Sequence, residues 1–177
     1  GHQLRLPTRY FRYFPEEYEA ENFECLSDNC NPGSVIIDIG AHIGLFSVIA
    51  SQVTGSKGKV YAFEPAPTTY ALLQKTLSIN KSQPVIEPYQ KAVGKAPGKI
   101  TFFISDGEAD NSNSLVNYKD DRQLHGIDVE VTSVDAFVKE KNISRLNFIK
   151  IDVEGAEYDT LRGAAETLKN LRPVCIV

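Results

Sequence analysis

The sequence predicts an α/β fold in which helices cover both faces of a mostly parallel, doubly wound sheet. Short apolar runs of strand length alternate along the chain with longer segments that have the apolar spacing of helices. The run Val35–Ile39 is apolar at every position but one, which is typical of a parallel strand buried on both faces. Glycine or acidic residues follow several of these runs, as expected where strands end at a ligand crevice.

Composition favours a single domain with a small-molecule partner. The 177 residues, 42% of them hydrophobic, suffice for one domain with its own core. The formal net charge is -4 and Lys and Arg form no sustained cluster, so no nucleic acid partner is expected. No apolar run approaches the roughly 18 residues of a membrane span, and the N-terminus lacks a signal-peptide pattern. We therefore expect a cytoplasmic protein.

The three cysteines do not predict a metal site. Cys25, Cys30 and Cys175 lack the spacing of zinc ligands, and no His lies close to them in sequence. We expect them to be reduced thiols with a structural role.

Residues 1–33 are predicted to form an appendage, and residues 34–177 the domain itself. Within the appendage, residues 16–26 have the composition of an acidic helix that ends before a turn at residues 31–34. Four aromatic residues would cover the core or, alternatively, wall a substrate pocket: Phe11, Tyr13, Phe14 and Tyr18.

Residues 35–50 are predicted to be a strand, a glycine turn and the start of a helix. Gly40 ends the strand, and Gly40 and Gly44 bracket the turn. Such a turn lets a ligand approach the backbone, and the free N–H groups of the helix start favour a polar or anionic ligand group. The turn could be purely structural, but Asp38, a charged residue inside the apolar strand, favours cofactor binding.

Glu64 follows the second predicted strand, Lys59–Phe63. It lies about 20 positions beyond the glycine turn, where an acidic residue at the tip of the second strand hydrogen-bonds ribose hydroxyls in nucleotide-binding folds. The pattern therefore predicts a ribose contact.

The rest of the chain continues the alternation. Helices are predicted over residues 68–80, 134–141 and about 157–170, with Ser133 as the cap of the second. A long polar stretch between Ser105 and Gly126 is expected to be a functional or disordered loop. The further predicted strands are Val85–Val93, Lys99–Ser105, Ile127–Val131, Leu146–Ile151 and Val174–Val177.

Because the carboxyl ends of parallel strands lie at one edge of the sheet, residues at those ends should converge on one crevice. The residues expected there are Asp38, Gly40, Glu64, Lys91 and Asp152.

Three segments closely resemble successive motifs of the FkbM-type methyltransferases. They are VIIDIGAHIGLFSVIA, VYAFEPAPTTYALLQKTLSIN and FIKIDVEGAEYDTLRGA, and the similarity runs from about Ser34 to Val177. The resemblance implies a Rossmann-like class I methyltransferase fold, S-adenosylmethionine as cofactor, and methylation of a hydroxyl on a sugar, a glycan or lipid, or a natural product. It also implies further strands after Val177, so the sheet is expected to stop at the start of its fifth core strand.

The resemblance implies roles for residues of the first two motifs. Asp38, Gly40 and Gly44 would surround the methionine part of the cofactor, and Glu64 would bind its ribose. His42, where the family usually has Asn, belongs to the same turn and is counted among the cofactor contacts. Its side chain could act as a base, although a His at a helix start more often forms a local hydrogen bond.

Further roles concern the adenine and the methyl acceptor. Lys91 and Ala92, at the end of the third predicted strand, would lie near the adenine. Methylation of a hydroxyl needs a proton acceptor, and Asp152 and Glu154 follow a buried strand, so we assign them as candidate catalytic residues. They could instead bind the cofactor's amino group, the substrate or a divalent cation. Glu157 is interpreted as a first-turn helix residue favoured by the helix dipole.

Rival functions are an NAD(P)-dependent oxidoreductase, a non-catalytic module that binds S-adenosylmethionine, and a scaffold. Against the first, the spacing Gly40-x-x-x-Gly44 does not match the dinucleotide pattern G-x-G-x-x-G. The strand that ends at Asp152 is not followed by the Pro-Pro-aromatic sequence of enzymes that methylate nucleobase amines, which argues against that substrate.

Overall fold

The computed structural model of the chain describes residues 4–7, 20–105, 124–153 and 155–177. The helices in these ranges are α1 Ala20–Asn29, α2 Leu45–Thr54, α3 Pro67–Ile79, α4 Val134–Glu140, α5 Glu157–Arg162 and α6 Ala165–Leu171. The strands are β1 Val35–Ile39, β2 Lys59–Phe63, β3 Ile86–Tyr89, β4 Ala92–Val93, β5 Gly98–Ser105, β6 Leu124–Thr132, β7 Phe148–Ile151 and β8 Val174–Ile176. The four predicted aromatic cover residues, most of the polar stretch after Ser105, and Glu154 lie outside the described residues.

The main sheet has five strands in the order β3-β2-β1-β7-β8, and each neighbouring pair is parallel. Strand β1 is the central strand of this sheet. Apart from Asp38 its residues are apolar, and helices cover both of its faces. The order reverses beside β1, where β2 and β3 extend to one side and β7 and β8 to the other. This arrangement confirms the predicted doubly wound α/β fold, and it brings the carboxyl ends of β1, β2 and β7 together.

Helices bury both faces of this sheet. On one face, Leu26 of α1, Phe46 of α2 and Leu73 of α3 pack with Ile36 and Phe148 of the strands. On the other face, α4 and α6 cover a second set of strand residues: Ile37, Ile39, Phe63, Ile149 and Ile151. Successive strand residues thus enter different cores, as the period of two along a strand requires.

A second sheet, in the order β4-β6-β5, corrects two sequence predictions. The predicted strand Val85–Val93 is two strands, since β3 pairs with β2 while β4 pairs with β6. The predicted strand Ile127–Val131 is longer, because β6 pairs with antiparallel β5 from Leu124 to Val131. Both differences come from pairing partners that are remote in sequence and that apolar periodicity cannot reveal.

The predicted helix over residues 157–170 is also divided, into α5 and α6. The break lies at Gly163, where a Cβ atom would be 2.1 Å from the carbonyl oxygen of Gly94. This close backbone approach explains the glycine. By contrast, the predicted cap of α4 is confirmed, since Ser133 Oγ accepts a hydrogen bond from the Ala136 N–H at 3.2 Å.

None of the helices in the described part of the chain is both long and apolar enough to cross a membrane.

Candidate functional site

The turn after β1 has an unusual backbone conformation. Gly40, His42 and Gly44 all have positive φ angles, of 78°, 50° and 91°. The N–H groups of Gly40 and Ala41 both donate to the carbonyl oxygen of Phe63, at 3.0 and 2.9 Å, which ties the turn to the end of β2. Gly44 then occupies the N-cap position of α2, where it has no side chain to accept a hydrogen bond from the helix N–H groups. A positive φ costs free energy in any residue but glycine, so the strained His42 must be held by its surroundings.

Gly40 and Gly44 are required by close packing as well as by their conformation. A Cβ atom on Gly40 would lie 1.8 Å from the carbonyl oxygen of Asp152, and one on Gly44 would lie 2.6 Å from Leu73 Cδ1. The space beside Gly40 in that direction is therefore filled by the backbone that follows β7. This contact brings the end of β1 against Asp152.

Glu64 occupies the tip of β2 with its side chain turned toward the β1 turn. The residue is 7% exposed. Its Oε2 accepts a hydrogen bond from the His42 N–H at 3.1 Å, and its Oε1 accepts one from the Ala66 N–H at 2.9 Å. Each carboxylate oxygen has a further lone pair, so Glu64 can still accept hydrogen bonds from a ligand.

Burial raises the pKa of Glu64 to about 7. The N–H groups of Ala66 and His42 act in the opposite direction because they stabilise the ionised form, and the nearby Asp38 charge raises the pKa further. The carboxyl group is therefore close to its titration midpoint at neutral pH, where a ligand that donates hydrogen bonds can shift its ionisation.

Asp38, the charged residue inside β1, is fully buried beneath α2. The hydroxyl of Ser47 in α2 donates a hydrogen bond to Asp38 Oδ2 at 2.5 Å. A carboxyl group buried this deep in an apolar strand is costly without hydrogen bonds, and the Ser47 hydroxyl supplies one.

Asp152 lies just beyond β7, and its partner is a residue that the sequence analysis did not select. Lys150 is 5% exposed, and its Nζ lies 3.0 Å from Asp152 Oδ2 and 5.7 Å from the centre of the Phe46 ring. The side chain of Asp152 is 58% exposed, while its N–H is held by the carbonyl oxygen of Ile39 at 3.0 Å. The missed signal was a charged residue inside the apolar run Phe148–Ile151, the same signal that identified Asp38.

The remaining predicted residues have contacts within their own part of the fold. Both carboxylate oxygens of Glu157 accept from the Gly155 N–H at 3.0 Å, a local contact at the start of α5. Lys91 Nζ forms an ion pair with Glu130 Oε2 at 3.0 Å, which joins the end of the main sheet to β6. Ala92 begins β4 and is buried.

An apolar contact connects the second sheet to the tip of β2. Ala92, Phe102 and Val129 form a small buried cluster with Ala66, which is hydrogen-bonded to Glu64. The β5–β6 hairpin is thus placed next to the tip of β2.

Within the described ranges, no group of three or more His, Cys, Asp or Glu side chains is arranged to hold a metal ion. All three cysteines are free thiols, and burial raises the pKa of Cys30 and of Cys175.

The structure therefore joins Gly40 to Asp152 by packing and His42 to Glu64 by a hydrogen bond. Asp38 is buried in β1, two residues before Gly40. The carboxyl ends of three neighbouring strands meet at this point. Such an arrangement presents a buried hydrogen-bond acceptor, Glu64, and an exposed carboxylate, Asp152, to a ligand in the crevice.

Comparison with known proteins identifies relatives of this chain. The chain is 30% identical over 148 residues to Methyltransferase 1 of Beauveria bassiana, a match that covers 73% of this chain and 58% of that protein. It is 25% identical to the hexuronic acid methyltransferase AglP of Haloferax volcanii (89% and 61% covered). It is 28% identical to the 2-O-methyltransferase NoeI of Sinorhizobium fredii (80% and 61% covered).

Among solved structures, a putative methyltransferase from Streptococcus mutans in complex with SAH superimposes with a TM-score of 0.50 at 12% identity. The match covers 86% of this chain and 65% of that one, and it shows a shared fold. The chain spans about three fifths of the length of the three curated relatives named above. Residues 38–177 match the methyltransferase FkbM domain, and the chain therefore belongs to this family.

Proposed function

We propose that the chain binds S-adenosylmethionine at the carboxyl ends of β1, β2 and β7, and that the whole protein methylates a hydroxyl group of a sugar or a related natural product. The observation that carries this proposal is Glu64, a buried carboxylate fixed by the N–H groups of His42 and Ala66 at the tip of β2. Membership of the methyltransferase FkbM domain family supports it.

The residues at this edge of the sheet fit the chemistry of such a cofactor. Ribose hydroxyls are hydrogen-bond donors, and Glu64 offers them an acceptor that is already oriented and partly desolvated. The first turn of α2 directly follows the β1 turn, and the N–H groups of a helix start favour a carboxylate. Gly40, His42 and Gly44 would form this part of the site, with Lys91 and Ala92 toward the adenine and Asp38 below the methionine part.

The cofactor supplies a methyl group on a positively charged sulfur, whose transfer to oxygen is an in-line displacement that depends mainly on positioning. The hydroxyl that accepts the methyl group must lose a proton. Asp152 is the described carboxylate best placed to receive it, since its side chain is exposed beside the Gly40 turn. Glu154, two residues further along the chain, is the second candidate.

The proposed class of methyl acceptor is inferred from the names of two relatives. One is named for a hexuronic acid and another for 2-O-methylation, and both names fit a hydroxyl-bearing substrate of sugar type. The formal charge of -4 and the absence of a cluster of basic residues in the sequence support a small molecule or glycan over a nucleic acid.

Ligand binding tests the proposal directly. S-adenosylmethionine, S-adenosylhomocysteine and NAD are titrated separately into the protein in a calorimeter. We expect the first two to bind and NAD to give no heat above dilution. Binding of NAD alone would overturn the proposal in favour of an oxidoreductase.

The acceptor is then sought with the full-length protein. Labelled methyl transfer is measured over hydroxylated sugars, uronic acids and lipids. A protein that binds the cofactor but transfers no methyl group to any of them would instead support a non-catalytic binding module.

A further inference from the structure

The buried ammonium group of Lys150 is the feature of the crevice that the proposed reaction leaves unexplained. The ammonium group of a lysine is normally exposed to solvent, because burial removes its hydration and costs free energy. Lys150 is nevertheless almost fully buried in β7, and its Nζ contacts the carboxylate of Asp152 at 3.0 Å. An uncharged residue would pack in a parallel strand at a lower cost, so the charge itself requires an explanation.

Lys150 lies between two carboxylates on the same face of the sheet. Asp38 of β1 is its partner in the parallel register, and register neighbours point to the same side. Asp152 follows two positions later, just beyond β7, and its Oδ2 lies 3.0 Å from Lys150 Nζ. The edge of the crevice therefore has three ionisable side chains in a row, with the Lys150 amine between the carboxyl groups of Asp38 and Asp152.

These side chains would affect the two forms of the cofactor differently, because the two forms differ in charge. S-adenosylmethionine has a positive charge on sulfur, whereas S-adenosylhomocysteine, the product, is a neutral thioether. Carboxylates without a counter-charge would favour the sulfonium form over the product. A positive charge among them reduces that preference.

We propose that Lys150 is a charge-balancing residue that sets how strongly the crevice prefers the sulfonium cofactor to its thioether product. The inference rests on the proposed function, since it requires that the crevice bind this cofactor. Lys150 offsets the carboxylates, so the affinities for cofactor and product differ less than they would without it. Its contact with Asp152 Oδ2 at 3.0 Å also orients that side chain.

A merely structural role makes a different prediction. If Lys150 only fixed Asp152 or stabilised β7, its loss would weaken both ligands by similar factors and leave their affinity ratio unchanged. A role in charge balance changes the ratio. The interaction of two unit charges about 10 Å apart, at an effective dielectric constant of about 40, corresponds to roughly a fourfold change in an equilibrium constant.

The test is calorimetric measurement of the dissociation constants of S-adenosylmethionine and S-adenosylhomocysteine for four proteins in one buffer. Relative to wild type, Lys150→Met should increase the preference for the sulfonium by roughly fourfold or more. Asp152→Asn should decrease it by a similar factor. Lys150→Arg, which keeps the charge, should stay within about twofold of wild type. Circular dichroism verifies that each variant is folded.

The outcomes separate the two proposals. If wild type binds neither ligand, the proposed function has failed and the inference falls with it. If wild type binds both but Lys150→Met leaves the ratio unchanged, only the inference is overturned. Should Lys150→Met not fold, Asp152→Asn decides, because Asp152 is exposed and an unchanged ratio in that variant would equally refute the charge balance.

Discussion

The backbone N–H of His42 donates a hydrogen bond to Oε2 of Glu64 across 3.1 Å, so the residue at the tip of β2 holds the turn that follows β1. His42 has a φ of 50°, a conformation that a non-glycine residue keeps only when its surroundings stabilise it. Glu64 therefore shapes the site as well as offering it an acceptor, and substitutions there should affect both binding and stability.

Replacing Glu64 with Ala should weaken S-adenosylhomocysteine binding by roughly 10- to 100-fold. The variant loses hydrogen bonds from ligand hydroxyls to a charged acceptor, which contribute about 1.5 to 3 kcal/mol. Isothermal titration calorimetry measures the change. Glu140→Ala, an exposed glutamate of α4, is the matched control and should bind as wild type does. Wild-type affinity in Glu64→Ala would restrict this residue to a structural role.

The pKa of Glu64 predicts how stability depends on pH. Burial raises this pKa from 4.5 to about 7 in the folded chain, so between these values the folded state binds more protons than the unfolded state. Stability should therefore decrease as pH rises from about 4.5 to 7, by at most about 3 kcal/mol. Urea denaturation at several pH values measures it, and Glu64→Gln should lack this component. Equal pH dependence in both proteins would contradict the prediction.

The same titration should affect ligand binding in the opposite direction. Ribose hydroxyls bond more strongly to an ionised carboxylate, so the affinity for S-adenosylhomocysteine should increase as pH rises from 6 to 8. Below about pH 7, binding should release protons, which calorimetry in two buffers of different ionisation enthalpy detects. Glu64→Gln should bind without this dependence. A pH effect that persists in Glu64→Gln would assign it to another group.

The sequence predicted the parts of this site that depend on local pattern. Asp38 was visible because one charge interrupts an apolar strand, and Glu64 because an acidic residue follows the next strand. Strand type and helix spacing then placed both at the carboxyl edge of a parallel sheet, where the structure has them. These inferences succeed because backbone periodicity and glycine conformation are local properties.

Features that depend on contacts remote in sequence were not predictable. The strand after Val85 divides because β4 pairs with β6, some 40 residues further along the chain. Lys150, like Asp38, is a charged residue within an apolar strand. Its significance depends on the register that makes the two residues neighbours on β1 and β7. The packing role of Gly40 likewise required knowledge of where the Asp152 carbonyl lies.

Gly40→Ala should destabilise the chain by about 3 kcal/mol or more. The new Cβ would lie 1.8 Å from the Asp152 carbonyl oxygen, and φ at Gly40 is 78°, where a side chain adds strain. The free energy of unfolding from urea denaturation measures the effect. Gly98→Ala is the matched control, because its Cβ would meet no atom within 4 Å. Similar stability of the two variants would show that β7 can move away from β1 at little cost.

Asp152→Asn tests whether the exposed carboxylate removes the acceptor's proton. The full-length protein is used with an acceptor from the methyl-transfer screen. Because Asn keeps the shape but cannot take up the proton, kcat should decrease by roughly 100-fold or more, while the cofactor dissociation constant should change much less.

Glu154→Gln in the same assay separates the two candidate carboxylates. If Asp152 is the base, Glu154→Gln should retain most of the wild-type kcat, and only Asp152→Asn should lose it. The reverse pattern would assign the base to Glu154. Wild-type turnover in both variants would mean that positioning of donor and acceptor suffices, and loss of cofactor binding in either would place that residue in the cofactor site instead.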